Sequence, residues 1–206
     1  MKRSYAISDW FYRLSHTIRR NRFMLLLYAL LCVLFIVVGV AVGANISDKS
    51  EFALRNGAGI FVFLRGERGI FAFFFIDVLT TCVYCIFAAS MFFAKIVSFL
   101  SIAPCAYKSY VLGCNVTVII GVYSVSAVPM LFVAFIPVCL VEIGVLCIVS
   151  YKCFAFVSLN GRCSPSGVDI KEYYKALLPY LLIIVILTLI KAVTLLLFGS
   201  ALIGVL

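Results

Sequence analysis

Three ionisable side chains stand inside long apolar runs of this chain: Asp77, Glu142 and Lys191. At the centre of a lipid-embedded helix each costs at least ~2.5–3.5 kcal/mol. Such groups are expected to face the bundle interior, water or one another. Two carboxylates and an amine at membrane depth could move protons or bind a polar solute. They could also serve as contacts between helices. Pro137 stands five residues before Glu142. A proline removes a backbone hydrogen bond and frees a carbonyl one turn back, near Val133. Broken helices persist at depth only where protein or water satisfies the freed groups. Proline and acid on adjacent turns therefore predict a buried polar spot. It is either a substrate site of the kind that transporters build in broken helices or a bend that lets one helix wrap its neighbours.

The elements that position these residues follow from composition. Of the 206 residues, 66% are hydrophobic and 12% charged. A soluble domain is about half apolar and about a quarter charged, so this chain cannot cover itself with polar groups in water. The expectation is an all-α, polytopic membrane bundle of about five transmembrane helices, with the lipid bilayer as its first partner. Unbroken apolar runs exclude a membrane β-barrel, which needs alternating strands.

The spans are expected at residues 23–44, 69–94, 110–123, 130–151 and 177–199, with loops at 45–68 and 152–176. Residues 23–206 form one bundle, and residues 1–22 a basic N-terminal segment. The apolar stretch at 23–44 exceeds the roughly 7–15 residues of a signal-peptide core, which points to an uncleaved anchor. The residues between Lys95 and Lys108 are too few to cross, and predict a surface-lying or re-entrant helix broken near Pro104. Asp169 and Glu172 have the spacing of a capping box before the last span, which is expected to kink near Pro179.

Orientation follows from the cation bias. Arg13, Arg19, Arg20, Arg22, Lys95, Lys108, Lys152, Arg162, Lys171 and Lys175 fall on one side of the bundle. Lys49, Arg55, Arg65 and Arg68 fall on the other, mixed with Asp48, Glu51 and Glu67. This places the N-terminus inside and the C-terminus outside. The net charge of +9 is then mostly a topology signal, with no nucleic-acid partner implied. Trp10, Phe11, Leu14 and Ile18 share one helical face, with Arg13, Arg19 and Arg20 elsewhere. They form an interfacial helix on an anionic leaflet or a basic flank with an aromatic anchor.

At 1.5 Å per residue, Asp77 lies roughly 12 Å and Lys191 roughly 8 Å below the outer face of a roughly 30 Å core, with Glu142 near the middle. The expected partner of Lys191 is therefore Asp77, with outward snorkelling as the alternative. Glu142 has no obvious ionic partner. It is either protonated or accepts a hydrogen bond from a tyrosine or serine of the third span. Gly39 and Gly43 make a small-xxx-small pair, and Gly113 and Gly121 lie roughly on one face, both patterns of close helix packing.

Other constellations carry little chemistry. Cys82 and Cys85 form a CxxC pair inside an apolar span, without the turn or polar shell that redox and zinc sites need. The nine cysteines are expected to act as small hydrophobes. With a single His16, no metal or nucleophile site is expected, and no cofactor. No catalytic motif is visible, which points away from an enzyme.

The segment 108–151 resembles the stage II sporulation protein M family of bacterial integral membrane proteins. There a lysine and a glycine-spaced helix lead, after a break, to a proline followed five residues later by glutamate in a PxxxxEI context. Lys108, Gly113, Pro137, Glu142 and Ile143 fall in that order here. The chain departs from the pattern at Val138, Cys139 and Gly144, and at Lys191, where an acid is expected. The resemblance implies five spans in the bacterial cytoplasmic membrane. It also implies a non-enzymatic role as scaffold or complex subunit, with a peptidoglycan hydrolase complex as partner in sporulation or envelope remodelling. The alternative is a small transporter or permease subunit with Asp77, Glu142 and Lys191 along its pathway.

Overall fold

A computed structural model describes residues 22–47, 49, 70–91, 97–123, 128–159 and 167–203. Among these residues five long helices carry the chain. They are α1 (Arg22–Ala44), α2 (Ile70–Ser90), α3 (Ala103–Tyr123), α4 (Ile136–Leu159) and α5 (Gly167–Ile203). A 3-10 segment, Val97–Ile102, runs directly into α3. A helical turn, Val128–Met130, and a π-helical segment, Leu131–Phe135, lead into α4. The described regular elements are all helical, so the architecture is an all-α bundle.

Four stretches are long and apolar enough to cross a membrane: Arg22–Ala44, Ser98–Val122, Leu131–Val157 and Ile170–Thr194. Phe74–Ser90 is a shorter apolar helix. Large apolar side chains cover the outside, among them Leu30 and Leu34 on α1, Leu79 on α2 and Leu182 on α5. A continuous apolar exterior of this kind needs hydrocarbon as its solvent. The chain is a multi-pass membrane protein.

Contacts fix how the helices run. Gly39 meets Tyr110 and Cys114, Gly43 meets Cys114 and Thr117, and Gly113 meets Ile36 and Val40. Position rises together on both helices, so α1 and α3 are parallel. Their backbones almost touch. A β-carbon added at Gly39 would collide with the Tyr110 carbonyl, and one at Gly113 with the Ile36 carbonyl. The Cys114 thiol donates to the Gly39 carbonyl at 3.2 Å, using the same close approach. Gly121 behaves differently from expectation. It is exposed and faces the side chain of Lys49 instead of a helix backbone.

α2 and α5 are antiparallel, with Asp77 opposite Lys191 and the Tyr173 hydroxyl donating to the Ala89 carbonyl at 2.9 Å. α3 and α4 are antiparallel too, with Cys105 beside Ser150 and Lys108 beside Glu142. α4 touches all four of the other long helices and forms the axis of the bundle. Its Cys147 thiol lies 3.5 Å from that of Cys32 on α1. Seven of the described cysteines, Cys32, Cys85, Cys105, Cys114, Cys139, Cys147 and Cys153, are buried free thiols within this core.

Several sequence boundaries move. The third span is expected at 110–123, but α3 starts at Ala103. Pro104 is its second residue, where no intrahelical N–H bond is lost, so the proline opens the helix and does not break it. The short helix expected after the second span is the 3-10 segment Val97–Ile102, which runs straight into α3 instead of breaking at Pro104. Helices also occupy most of the expected loop 152–176, because α4 continues to Leu159 and α5 begins at Gly167. Asp169 therefore sits within the first turn of α5 and does not precede it as a cap. α5 continues through Pro179 as one helix. Trp10, Arg13, Arg19 and Arg20, and most of the loop 45–68, lie outside the described residues.

Candidate functional site: a buried ionic network

Four helices each bring an ionisable group to one place. Asp77 and Thr81 lie one turn apart on α2, which puts both on the same face. Lys108 comes from the second turn of α3, Glu142 from α4 and Lys191 from α5. The Lys108 ammonium donates to Thr81 Oγ1 at 2.6 Å and to Glu142 Oε2 at 2.7 Å. The Lys191 ammonium lies 2.5 Å from Asp77 Oδ2 and 3.8 Å from Glu142 Oε2. Polar groups thus run from Asp77 through Lys191, Glu142 and Lys108 to Thr81.

Burial is deepest in the middle. The Glu142 side chain is 1% exposed and that of Lys191 7%, against 13% for Lys108 and 17% for Asp77. Two carboxylates and two ammonium groups make a formally neutral set. Neutrality matters here, since an uncompensated ion in a protein interior costs several kcal/mol after relaxation. The Phe135 ring lies 5.7 Å from the Lys191 nitrogen and adds a cation–π contact on that side. Glu142 Oε1 is buried and has no hydrogen-bond partner among the described residues.

Asp77, Glu142 and Lys191 therefore do share one site, and Asp77 is the near partner of Lys191. The expected partner of Glu142, a tyrosine or serine of the third span, is replaced by a lysine. Ser109 instead donates to the carbonyl of Cys105 at 2.8 Å, along its own helix. The sequence alone places Lys108 among the flanking cations because the stretch between Lys95 and Lys108 is too short to cross. The proline itself held the signal. A proline that opens a helix puts position 108 in its second turn, on a helix entering the membrane.

Pro137 does not share the shielding of Glu142. It is exposed, in the first turn of α4, directly after the π-helical segment. A wider turn ahead of the proline accommodates its ring and missing N–H. The irregular backbone precedes the polar spot and does not form it. It still shapes the site, since Phe135, the last residue of the π segment, packs near Lys191. Gly39, Gly43 and Gly113 lie away from the charges, where they hold α1 against the back of α3.

Comparison with protein-family models, with curated proteins and with solved structures finds no match to this chain.

Proposed function

We propose that the protein is a non-enzymatic scaffold or subunit of a membrane complex, similar to stage II sporulation protein M, that takes part in remodelling the cell envelope. One observation carries this reading. Lys108 and Glu142, two members of the sequence pattern behind the resemblance, pair at 2.7 Å inside the bundle. Gly113, a third member, seats the lysine-bearing helix on α1. Residues that look like scattered matches in the sequence thus act as one structural unit. The resemblance implies a bacterial cytoplasmic membrane, and the basic flanks favour the N-terminus inside and the C-terminus outside.

The test is affinity capture of the tagged full-length protein from cross-linked native membranes. A peptidoglycan hydrolase, or a membrane protein bound to one, should co-purify in near-stoichiometric amount, and Glu142→Gln should retain it. Recovery of the chain alone, from membranes where it is abundant, would overturn the scaffold reading.

A second reading, a small transporter, is favoured by Glu142 Oε1, a sealed acceptor with no donor among the described residues. Buried polar atoms of that kind are uncommon in structural positions.

A further inference from the structure

We propose that the ionic network is a proton relay across the middle of the membrane, with Asp77 at one end and Lys108 at the other. This names the substrate of the transport reading and does not depend on any protein partner.

Depth supports it first. Thr81 meets Lys108 and Tyr84 meets Tyr107, so α2 and α3 run antiparallel and their starts lie toward opposite faces. Asp77 is about 11 Å into α2, and Lys108, ten residues into the stretch that begins at Ser98, is about 15 Å from the opposite face, at 1.5 Å per residue. In a roughly 30 Å hydrocarbon core both stand near the mid-plane, about 4 Å apart in depth. Lys191 and Glu142 join them there. Exposure follows the same order, with the two end groups more accessible than Glu142.

Chemistry supports it second. Each group in the series can hold or release a proton, and neighbours alternate between acid and amine. A proton from water on one side adds to the Asp77 carboxylate. The Lys191 ammonium passes one of its protons to Glu142 and takes the one on Asp77. The Glu142 proton moves to the Lys108 amine, which has given its own to water on the other side. One proton enters, one leaves, and no oxidant or further reactant is needed. Release at Lys108 concurrent with uptake at Asp77 keeps the network neutral, which avoids the cost of a net buried charge.

Every step but one lies within hydrogen-bond reach. The exception is Lys191 to Glu142, at 3.8 Å. A lysine on a flexible stem closes such a gap by small torsional changes, so this step is the gate. The free Oε1 of Glu142 fits a relaying acid, which can receive on one oxygen while the other stays paired. The charged groups that face Glu142 are Lys108 from α3 and Lys191 from α5, with Asp77 of α2 beyond Lys191 and Cys139 one turn back on its own helix.

Arginine separates relay from structure, because it keeps the positive charge and ion pair but does not give up its proton in proteins. The full-length protein is reconstituted into liposomes loaded with a pH-sensitive dye, under a potassium diffusion potential. The wild type should acidify or alkalinise the lumen faster than empty vesicles. Lys108→Arg should lower that rate at least tenfold while the protein stays monodisperse and helical. Lys191→Arg repeats the test at the second cation if Lys108→Arg does not purify. Wild-type flux at the level of empty vesicles would overturn the relay, as would wild-type rates in a folded arginine variant. The same variants in the membrane capture experiment should retain the partner, so loss of flux and loss of the complex are told apart.

Discussion

Glu142→Leu will destabilise the bundle by about 3–5 kcal/mol, and the double variant Glu142→Leu with Lys108→Met will recover most of that loss. The single change leaves the Lys108 ammonium, 13% exposed, without the carboxylate that lies 2.7 Å away. It also removes the second carboxylate near Lys191, though Asp77 still neutralises that lysine. Breaking one half of a buried pair strands the other half. Replacing both with apolar residues of similar size removes the desolvation cost along with the attraction, and is often neutral. The double variant keeps the formal balance, because Asp77 and Lys191 remain. Equilibrium unfolding in mixed micelles, followed by circular dichroism, measures both. A single variant as stable as wild type would mean that Glu142 is not paired inside the bundle. Failure of the double variant to recover would mean that the hydrogen bond from Lys108 to the buried Thr81 hydroxyl outweighs its pair with Glu142.

The second large effect belongs to the α1–α3 contact. Gly113→Ala and Gly39→Ala should each cost about 1–3 kcal/mol, the range for forcing an extra carbon into a packed interface. In both cases the added atom meets a backbone carbonyl, which has no rotamer by which to yield. Gly144 is the control. It lies within α4 with nothing inside 4 Å of an added β-carbon. There alanine should be neutral or stabilising by up to about 1 kcal/mol, since it is the better helix former. The same unfolding assay reads all three. Equal tolerance at 113 and 144 would show that α1 does not pack as described.

How much of this was legible from the sequence differs by feature. The all-helical membrane class follows from the absence of enough polar residues to face water, and no detail of packing can change it. The pairing of Lys191 with Asp77 was also accessible, because depth along a helix is linear in residue number. Gly39 and Gly113 were readable as contact points for the same kind of reason, since small residues at fixed spacing leave room for only a neighbouring backbone.

Lys108 and Gly121 show where that reasoning ends. The role of Lys108 depends on whether the helix that opens at Pro104 counts as part of the third span, which the short stretch after Lys95 hides. A proline starts or stops a helix, and the choice depends on whether the residues before it are helical, which is a tertiary outcome here. Gly121 has the same local pattern as Gly113 but faces a lysine side chain, because α1 ends before reaching it. Spacing along one helix cannot show where the partner helix stops. Pro137 was misplaced for a related reason. Its distance from Glu142 in sequence was clear, but five positions along α4 turn about 140° at 3.6 residues per turn, so Pro137 ends on the outside of α4 while Glu142 faces in.

The central claim is that ammonium and carboxylate groups from four helices meet inside a lipid-embedded bundle. Solid-state NMR on the full-length protein in bilayers, with nitrogen-15 lysine side chains and carbon-13 carboxyl groups, tests it most directly. The account predicts through-space contacts from Lys191 Nζ to the Asp77 carboxyl and from Lys108 Nζ to the Glu142 carboxyl, each removed by replacing the one lysine concerned. Spectra in which these lysines contact only water or lipid phosphate would contradict it.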